Sequence, residues 1–160
     1  MLKIKIVCVG KLKEKYYVEM QNEYVKRLSR YVELNIIEVK DEKIDANSNA
    51  ALDIVVKDKE FENIKKVIKE NDYIVLLDLK GTEYDSIELS EKFDTYLSNS
   101  LTNVTFIIGG SLGFSSKIEK LAKEKIKLSH LTLTHQMSRV ILLEQIYRSF
   151  KILNNETYHK

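Results

Sequence analysis

Val104-Thr-Phe-Ile-Ile-Gly-Gly-Ser-Leu-Gly-Phe-Ser-Ser-Lys-Ile-Glu119 contains, in order, an unbroken apolar run, a glycine-rich turn and the start of a helix. An apolar run without alternation is what a parallel strand covered on both faces requires. Ser116 and Glu119, three apart, have capping-box spacing, and the helix they predict sets Ile118, Leu121, Ala122 and Ile126 inward. Tyr73-Ile-Val-Leu-Leu-Asp-Leu79 is a second such strand, followed by another capping box, Asp85 with Glu88, opening a helix through Leu89, Phe93 and Leu97. Towards the C-terminus, Leu128-Ser-His-Leu-Thr-Leu133 alternates as a short strand. A last helix from about Gln136 to Leu153 carries an apolar arc too wide for one sheet face. Towards the N-terminus, Ile4 to Val9 form a strand ending at Gly10, and Tyr17, Met20, Tyr24, Leu28 and Tyr31 recur at helical steps. Leu34–Val39 is a strand, 41–49 a polar loop, and 50–70 a helix with Phe61, Ile64 and Ile68 inward. Strands alternating with helices throughout predict one α/β domain over residues 1–160, with a mostly parallel sheet and helices on both faces.

The composition agrees with that reading. In 160 residues, 44% are hydrophobic and 31% charged, with five glycines and no proline, so short connections and regular elements are expected. No apolar run approaches the roughly 18 residues of a membrane helix, and the alternating Met1-Leu-Lys-Ile-Lys-Ile6 lacks a signal peptide's continuous apolar stretch. A cytoplasmic location with no membrane partner is therefore expected. The single Cys8 has no partner for a disulfide, and the three histidines lack metal-ligand spacing, so no metal is expected.

The net charge of +2 conceals a strong division. Residues 1–30 carry eight Lys/Arg against three Asp/Glu, residues 31–110 nine against seventeen, and residues 111–160 nine against four. Basic ends around an acidic middle suit a polyanion such as RNA if the fold brings the ends together, and they equally suit a solvated surface.

Three segments could carry chemistry. Gly109-Gly110-Ser111-Leu112-Gly113 would expose backbone amides at the C-terminal edge of a parallel sheet, but it lacks both the P-loop ending and the dinucleotide spacing. His135 and Arg139, four apart at the start of the last helix, would share a face; a capping histidine and a surface-paired arginine also account for them. The terminal Tyr158-His159-Lys160 offers three hydrogen-bond donors or a frayed end.

Together, Val9-Gly-Lys-Leu-Lys13, Leu77-Asp-Leu-Lys-Gly81, Phe106-Ile-Ile-Gly-Gly-Ser111, Leu128-Ser-His-Leu-Thr-Leu133, His135-Gln-Met-Ser-Arg139, Glu144-Gln-Ile-Tyr-Arg148 and Tyr158-His-Lys160 resemble the bacterial ribosomal RNA large subunit methyltransferase H family, of the SPOUT class. The resemblance runs along the whole chain. It implies a C-terminal trefoil knot, a homodimer, and methyl transfer from S-adenosyl-L-methionine to N3 of a pseudouridine in 23S rRNA of the assembled ribosome. It also implies a cofactor pocket at Leu77, Gly109, Leu128, Ser129, His130, Leu131, Thr132 and Leu133. His135, Arg139, Tyr158 and His159 become the candidate catalytic groups, and the apolar last helix becomes a candidate dimer face. Two residues depart from the family pattern: Thr134 stands where proline is expected, and Leu112 where a polar residue is expected. The alternatives are a non-catalytic ribosome-binding module and a nucleotide-using α/β enzyme.

Overall fold

A computed structural model describes residues 1–160. Ten elements alternate: β1 (Leu2–Val9), α1 (Lys15–Leu28), β2 (Val32–Val39), α2 (Ala50–Lys65), β3 (Tyr73–Glu83), α3 (Ser86–Ser98), β4 (Asn103–Ile108), α4 (Ser116–Leu121), β5 (Glu124–Lys127) and α5 (His135–Leu153). The strands form one sheet in the order β2-β1-β4-β3-β5, and every pairing is parallel. The α/β architecture is the one the alternation predicts.

Successive side chains of a strand point to opposite faces, and β1 shows how both are covered. Ile4, Ile6 and Cys8 join Leu28 of α1, Phe93 of α3, and Leu143, Ile146 and Phe150 of α5. Val7 and Val9 join Phe61 and Ile64 of α2 and Ile118 of α4. Three helices therefore lie on one face and two on the other. Val75, Leu76, Val104 and Ile107 of the continuous apolar runs are fully buried. Each such residue contributes about 1.5–3 kcal/mol, which fixes these runs as inner strands.

Four local expectations are corrected. First, the helix predicted through Ile126 ends at Leu121. Ala122 is extended, Lys123 N–H donates to Ile74 O at 2.8 Å, and Ile126 pairs with Leu77 as part of β5. Pairing with β3 overrides the helical spacing, because Ile118 and Ile126 are needed on opposite faces of the sheet. The strand expected at Leu128–Leu133 is consequently irregular backbone beyond the ladder. Second, α4 is capped by Ser115, whose hydroxyl accepts from Lys117 N–H, so Ser116 and Glu119 form no capping box. The Asp85–Glu88 box is present with both reciprocal bonds.

Third, Tyr96 rather than Leu97 faces the core from α3, and Met20 of α1 faces solvent. Fourth, most of the apolar arc of α5 is covered within the chain. It packs between α1 and α3 through Tyr24–Tyr147 and Phe93–Phe150 ring contacts, and Ile146 is 0% exposed. Much of its width therefore comes from lying among two helices and a sheet, while Met137 is exposed and Ile141, Tyr147 and Ile152 are half-buried. No helix is long and apolar enough to cross a membrane.

Beyond Leu77, β3 loses register with β5 and regains it at Thr82. Gly81 sits in that irregularity, pressed against β5, where a Cβ would lie 2.6 Å from Lys125 C and 2.7 Å from Ile126 N. Only glycine fits so close to a neighbouring backbone.

Candidate functional site

Because all strands run parallel, their C-terminal ends form one edge. Along it stand Asp41 after β2, Gly10 after β1, Gly109 after β4, Leu77 in β3 and Leu128 after β5, in the order of the sheet. Neighbouring strands lie about 4.8 Å apart, so Leu128 and Gly10 are separated by about 14 Å. Residues 128–134 connect these two ends, because His135 lies against Gly10: a Cβ on Gly10 would be 3.5 Å from His135 Cε1. The segment therefore passes the ends of β3 and β4, and Leu77, Gly109 and Leu128–Leu133 share one edge. Leu131 and Thr132 are exposed on it.

At the β5 end of this edge lies a cleft of about 280 Å³. Tyr84, Leu89, Ile126, Leu128 and Ile141 give it largely apolar walls, and Asp85, Ser86, Lys127 and Gln145 supply polar groups. Its size is near the lower bound of small-molecule sites, about 300–1,000 Å³. Apolar walls with a few hydrogen-bonding groups suit a neutral aromatic base such as the adenine of S-adenosylmethionine, whereas the Asp85 carboxylate is already engaged with Glu88 N–H as the cap of α3 and Lys127 also lines the cleft. Gly109 lines a different and much smaller cavity, about 10 Å³, on the α2 and α4 side. A Cβ at Gly109 would meet Phe114 Cε1 at 2.9 Å, and one at Gly110 would meet both Glu60 carboxylate oxygens at 3.0 Å. The glycines of the turn thus make room for the chain's own side chains, whereas Gly113 is required by its φ of +84°. Glu60 is buried, with its carboxyl pushed up by burial, and Oε2 accepts from Glu42 N–H. This buried carboxylate had no signal in the sequence.

His135 is the first residue of α5, and Thr134 is the N-cap, its hydroxyl accepting from Met137 N–H. The threonine that stands in place of proline thus supplies a helix cap. Burial, reinforced by the charge of Arg139, pushes the His135 imidazole below its ordinary value, while Asp41 acts in the opposite sense. The ring is therefore neutral at pH 7 and able to accept a proton. Arg139, one turn on, is 0% exposed. Its Nη1 donates to Glu38 Oε2 at 2.7 Å and to Gln21 Oε1 at 3.1 Å, and its Nη2 to Gly10 O at 3.2 Å. Arg139 is engaged by the protein itself, and its Glu38 and Gln21 partners, more than 100 residues away in sequence, could not be inferred from spacing.

Tyr158 and His159 are not brought to this group. Tyr158 Oη donates to Glu144 Oε1 at 3.2 Å, its ring packs edge-on to Tyr147, and the Arg148 guanidinium lies 4.7 Å from its centroid. Burial pushes the Tyr158 phenol up to about 12. His159 Nδ1 lies 3.2 Å from Arg148 Nη1. From Arg139 to Arg148, α5 rises about 13 Å, so one chain carries two separate polar groups at two levels of one helix. The tail is anchored further by Glu156, which accepts from Tyr31 Oη at 2.9 Å and from Lys151. The Glu144–Arg148 pair of this group, 2.6 Å and four residues apart, was legible as a helical ion pair.

Of the basic residues at the N-terminal end, Lys11 and Lys13 are exposed and form no ion pair. Arg27 pairs with Glu23 at 2.8 Å, and Arg30 stacks over Tyr31. No group of three or more His, Cys, Asp or Glu residues is placed to hold a metal ion.

Residues 2–159 match a family model described as a predicted SPOUT methyltransferase. Proteins named ribosomal RNA large subunit methyltransferase H are similar over 99% of this chain and 100% of their own length. Those of Ruminiclostridium cellulolyticum and Clostridium kluyveri are 49% identical, and that of Acetivibrio thermocellus is 46% identical.

Proposed function

Because this chain belongs to the SPOUT methyltransferase family, we propose that it methylates N3 of a pseudouridine in 23S rRNA with S-adenosylmethionine, as a homodimer with a C-terminal trefoil knot acting on the assembled ribosome. It is an enzyme, an rRNA methyltransferase. The observation that supports this reading best is the placing of Leu77 and Leu128 at the C-terminal edge of a parallel sheet, from which residues 128–134 lead to a half-buried His135.

When bound, S-adenosylmethionine supplies an electrophilic methyl group with an excellent leaving group, so no metal or covalent enzyme intermediate is needed. Leu128 and the apolar walls of the 280 Å³ cleft hold the nucleoside part and exclude water. N3 of pseudouridine is a ring N–H flanked by two carbonyls, and its proton must leave as the nitrogen is alkylated. His135 accepts that proton, its neutral state being maintained by burial. Arg139, held by Glu38, Gln21 and Gly10, fixes the start of α5 and thus the imidazole. Lys11 and Lys13 meet the rRNA phosphates. Arg148, Tyr158 and His159 lie too far along α5 to serve the same chain's His135, so the tail completes the site of the neighbouring subunit. Alignment of these groups supplies most of the rate.

A thermal-shift titration tests the cofactor assignment. At 100 times its Kd, S-adenosylhomocysteine adds about 2.7 kcal/mol, which for this size is about 5–10 °C in Tm. Stabilisation by ATP or NAD without any by S-adenosylhomocysteine would point to the nucleotide-using alternative and overturn the proposal.

A further inference from the structure

The connection Gly10–Glu14 between β1 and α1 is fastened through its backbone by three side chains from two other elements, β2 and α5. Gly10 O accepts from Arg139 Nη2 at 3.2 Å, Leu12 N–H donates to Glu38 Oε2 at 3.2 Å, and Lys13 N–H donates to Gln136 Oε1 at 2.8 Å. The fasteners are bonded to one another as well, since Arg139 Nη1 donates to the same Glu38 oxygen at 2.7 Å. A fully buried guanidinium is expensive to desolvate, and here its fork is used to join β2, α1 and the end of β1. Lys11 and Lys13 are exposed and without an acidic partner, beside the His135 ring that lies against Gly10. Backbone held and cations free is the arrangement of a preformed anion-binding surface, because ordering that would otherwise oppose binding is already done.

We propose that Arg139, Glu38 and Gln136 are positioning residues for the RNA substrate, holding the Gly10–Glu14 loop so that Lys11 and Lys13 present two phosphate-binding charges at a fixed place beside His135. The inference rests on the rRNA reading above and goes beyond it by giving the buried arginine a role in substrate binding rather than in contact with the reacting atoms. A loosened loop still carries both lysines, so it loses affinity for the ribosome and keeps its counterion stoichiometry. Removing the lysines changes both.

The test is steady-state methylation of ribosomes over a range of salt concentrations, with calorimetry of S-adenosylhomocysteine alongside. Gln136→Leu removes the acceptor for Lys13 N–H from a half-buried position without touching the core. It should raise KM for ribosomes about two- to tenfold, the size of one net hydrogen bond, with kcat, cofactor affinity and the salt slope retained. Arg139→Lys, which keeps the charge and loses the fork, should also raise KM, and it should lower kcat as well because the same fork holds the start of α5. Lys11→Gln/Lys13→Gln should instead flatten the slope by about two counterions. An unchanged slope in the double lysine variant would overturn the underlying assignment of this loop to RNA. A flattened slope there, with KM unchanged in Gln136→Leu, would leave the RNA assignment standing and overturn the clamp. Because Gln136→Leu spares the core, that variant decides the matter even if Arg139→Lys fails to fold.

Discussion

Gly81→Ala offers a sharp test of how β3 shapes the candidate pocket. The added Cβ would lie 2.6 Å from Lys125 C and 2.7 Å from both Ile126 N and Lys125 O, where ordinary contact begins at 3.4 Å. All three atoms are backbone, so no rotamer change relieves the clash, and β5 must retreat by about 0.8 Å to restore ordinary contact. Overpacking of this kind costs about 1–3 kcal/mol, and a rigid neighbour places it at the upper end. For a domain of this size Tm should fall by about 6–10 °C. Since β5 leads directly into Leu128–Leu133, the same retreat should weaken S-adenosylhomocysteine binding. Urea denaturation and calorimetry read the two effects. Gly113→Ala is the control: its φ of +84° makes it cost about 1–2 kcal/mol, but nothing lies within 4 Å, so cofactor affinity should be retained. A Gly81→Ala variant within about 0.5 kcal/mol of the parent, with unchanged affinity, would refute the close-approach argument.

Two further outcomes follow from burial. Ile146 is enclosed by its own chain, so Ile146→Glu should unfold the protein, with circular dichroism showing lost structure; a folded variant of native stability would refute its burial within the chain. His135 has a folded pKa below its ordinary 6.5, so its neutral form is the one the fold favours. Its contribution to stability is present above 6.5 and is lost as the pH falls below that through the depressed folded value. Methyl transfer should show an acid limb in the same window, and His135→Gln should both slow transfer and erase that limb.

The legible part of this fold is the part governed by local pattern and burial. Continuous apolar runs at Tyr73 and Val104 became inner strands because both faces of the sheet are covered. The Asp85–Glu88 box depends on neighbours three apart and formed as read. Ile126 was misread because its helical spacing from Ile118 is real, yet strand pairing with Leu77 decides its conformation. The apolar arc of α5 was visible, but its covering by α1 and α3 depends on tertiary placement. At the site, His135 and Arg139 stood out through spacing and family likeness. Glu38, Gln21, Gln136 and Glu60 did not, because hydrogen-bond partners 18 to 123 residues away leave no periodic trace.

Methyl transfer to rRNA by this protein should depend on the C-terminal tail, which completes the site of the neighbouring subunit. Mass spectrometry of 23S rRNA from ribosomes incubated with the enzyme and S-adenosylmethionine tests it most directly, comparing the full chain with one truncated after Glu156. The full chain should yield N3-methylpseudouridine. The truncated chain should yield none while retaining its fold and its stabilisation by S-adenosylhomocysteine. Absence of the modified base with the full chain, or equal yield from the truncated one, would contradict the account.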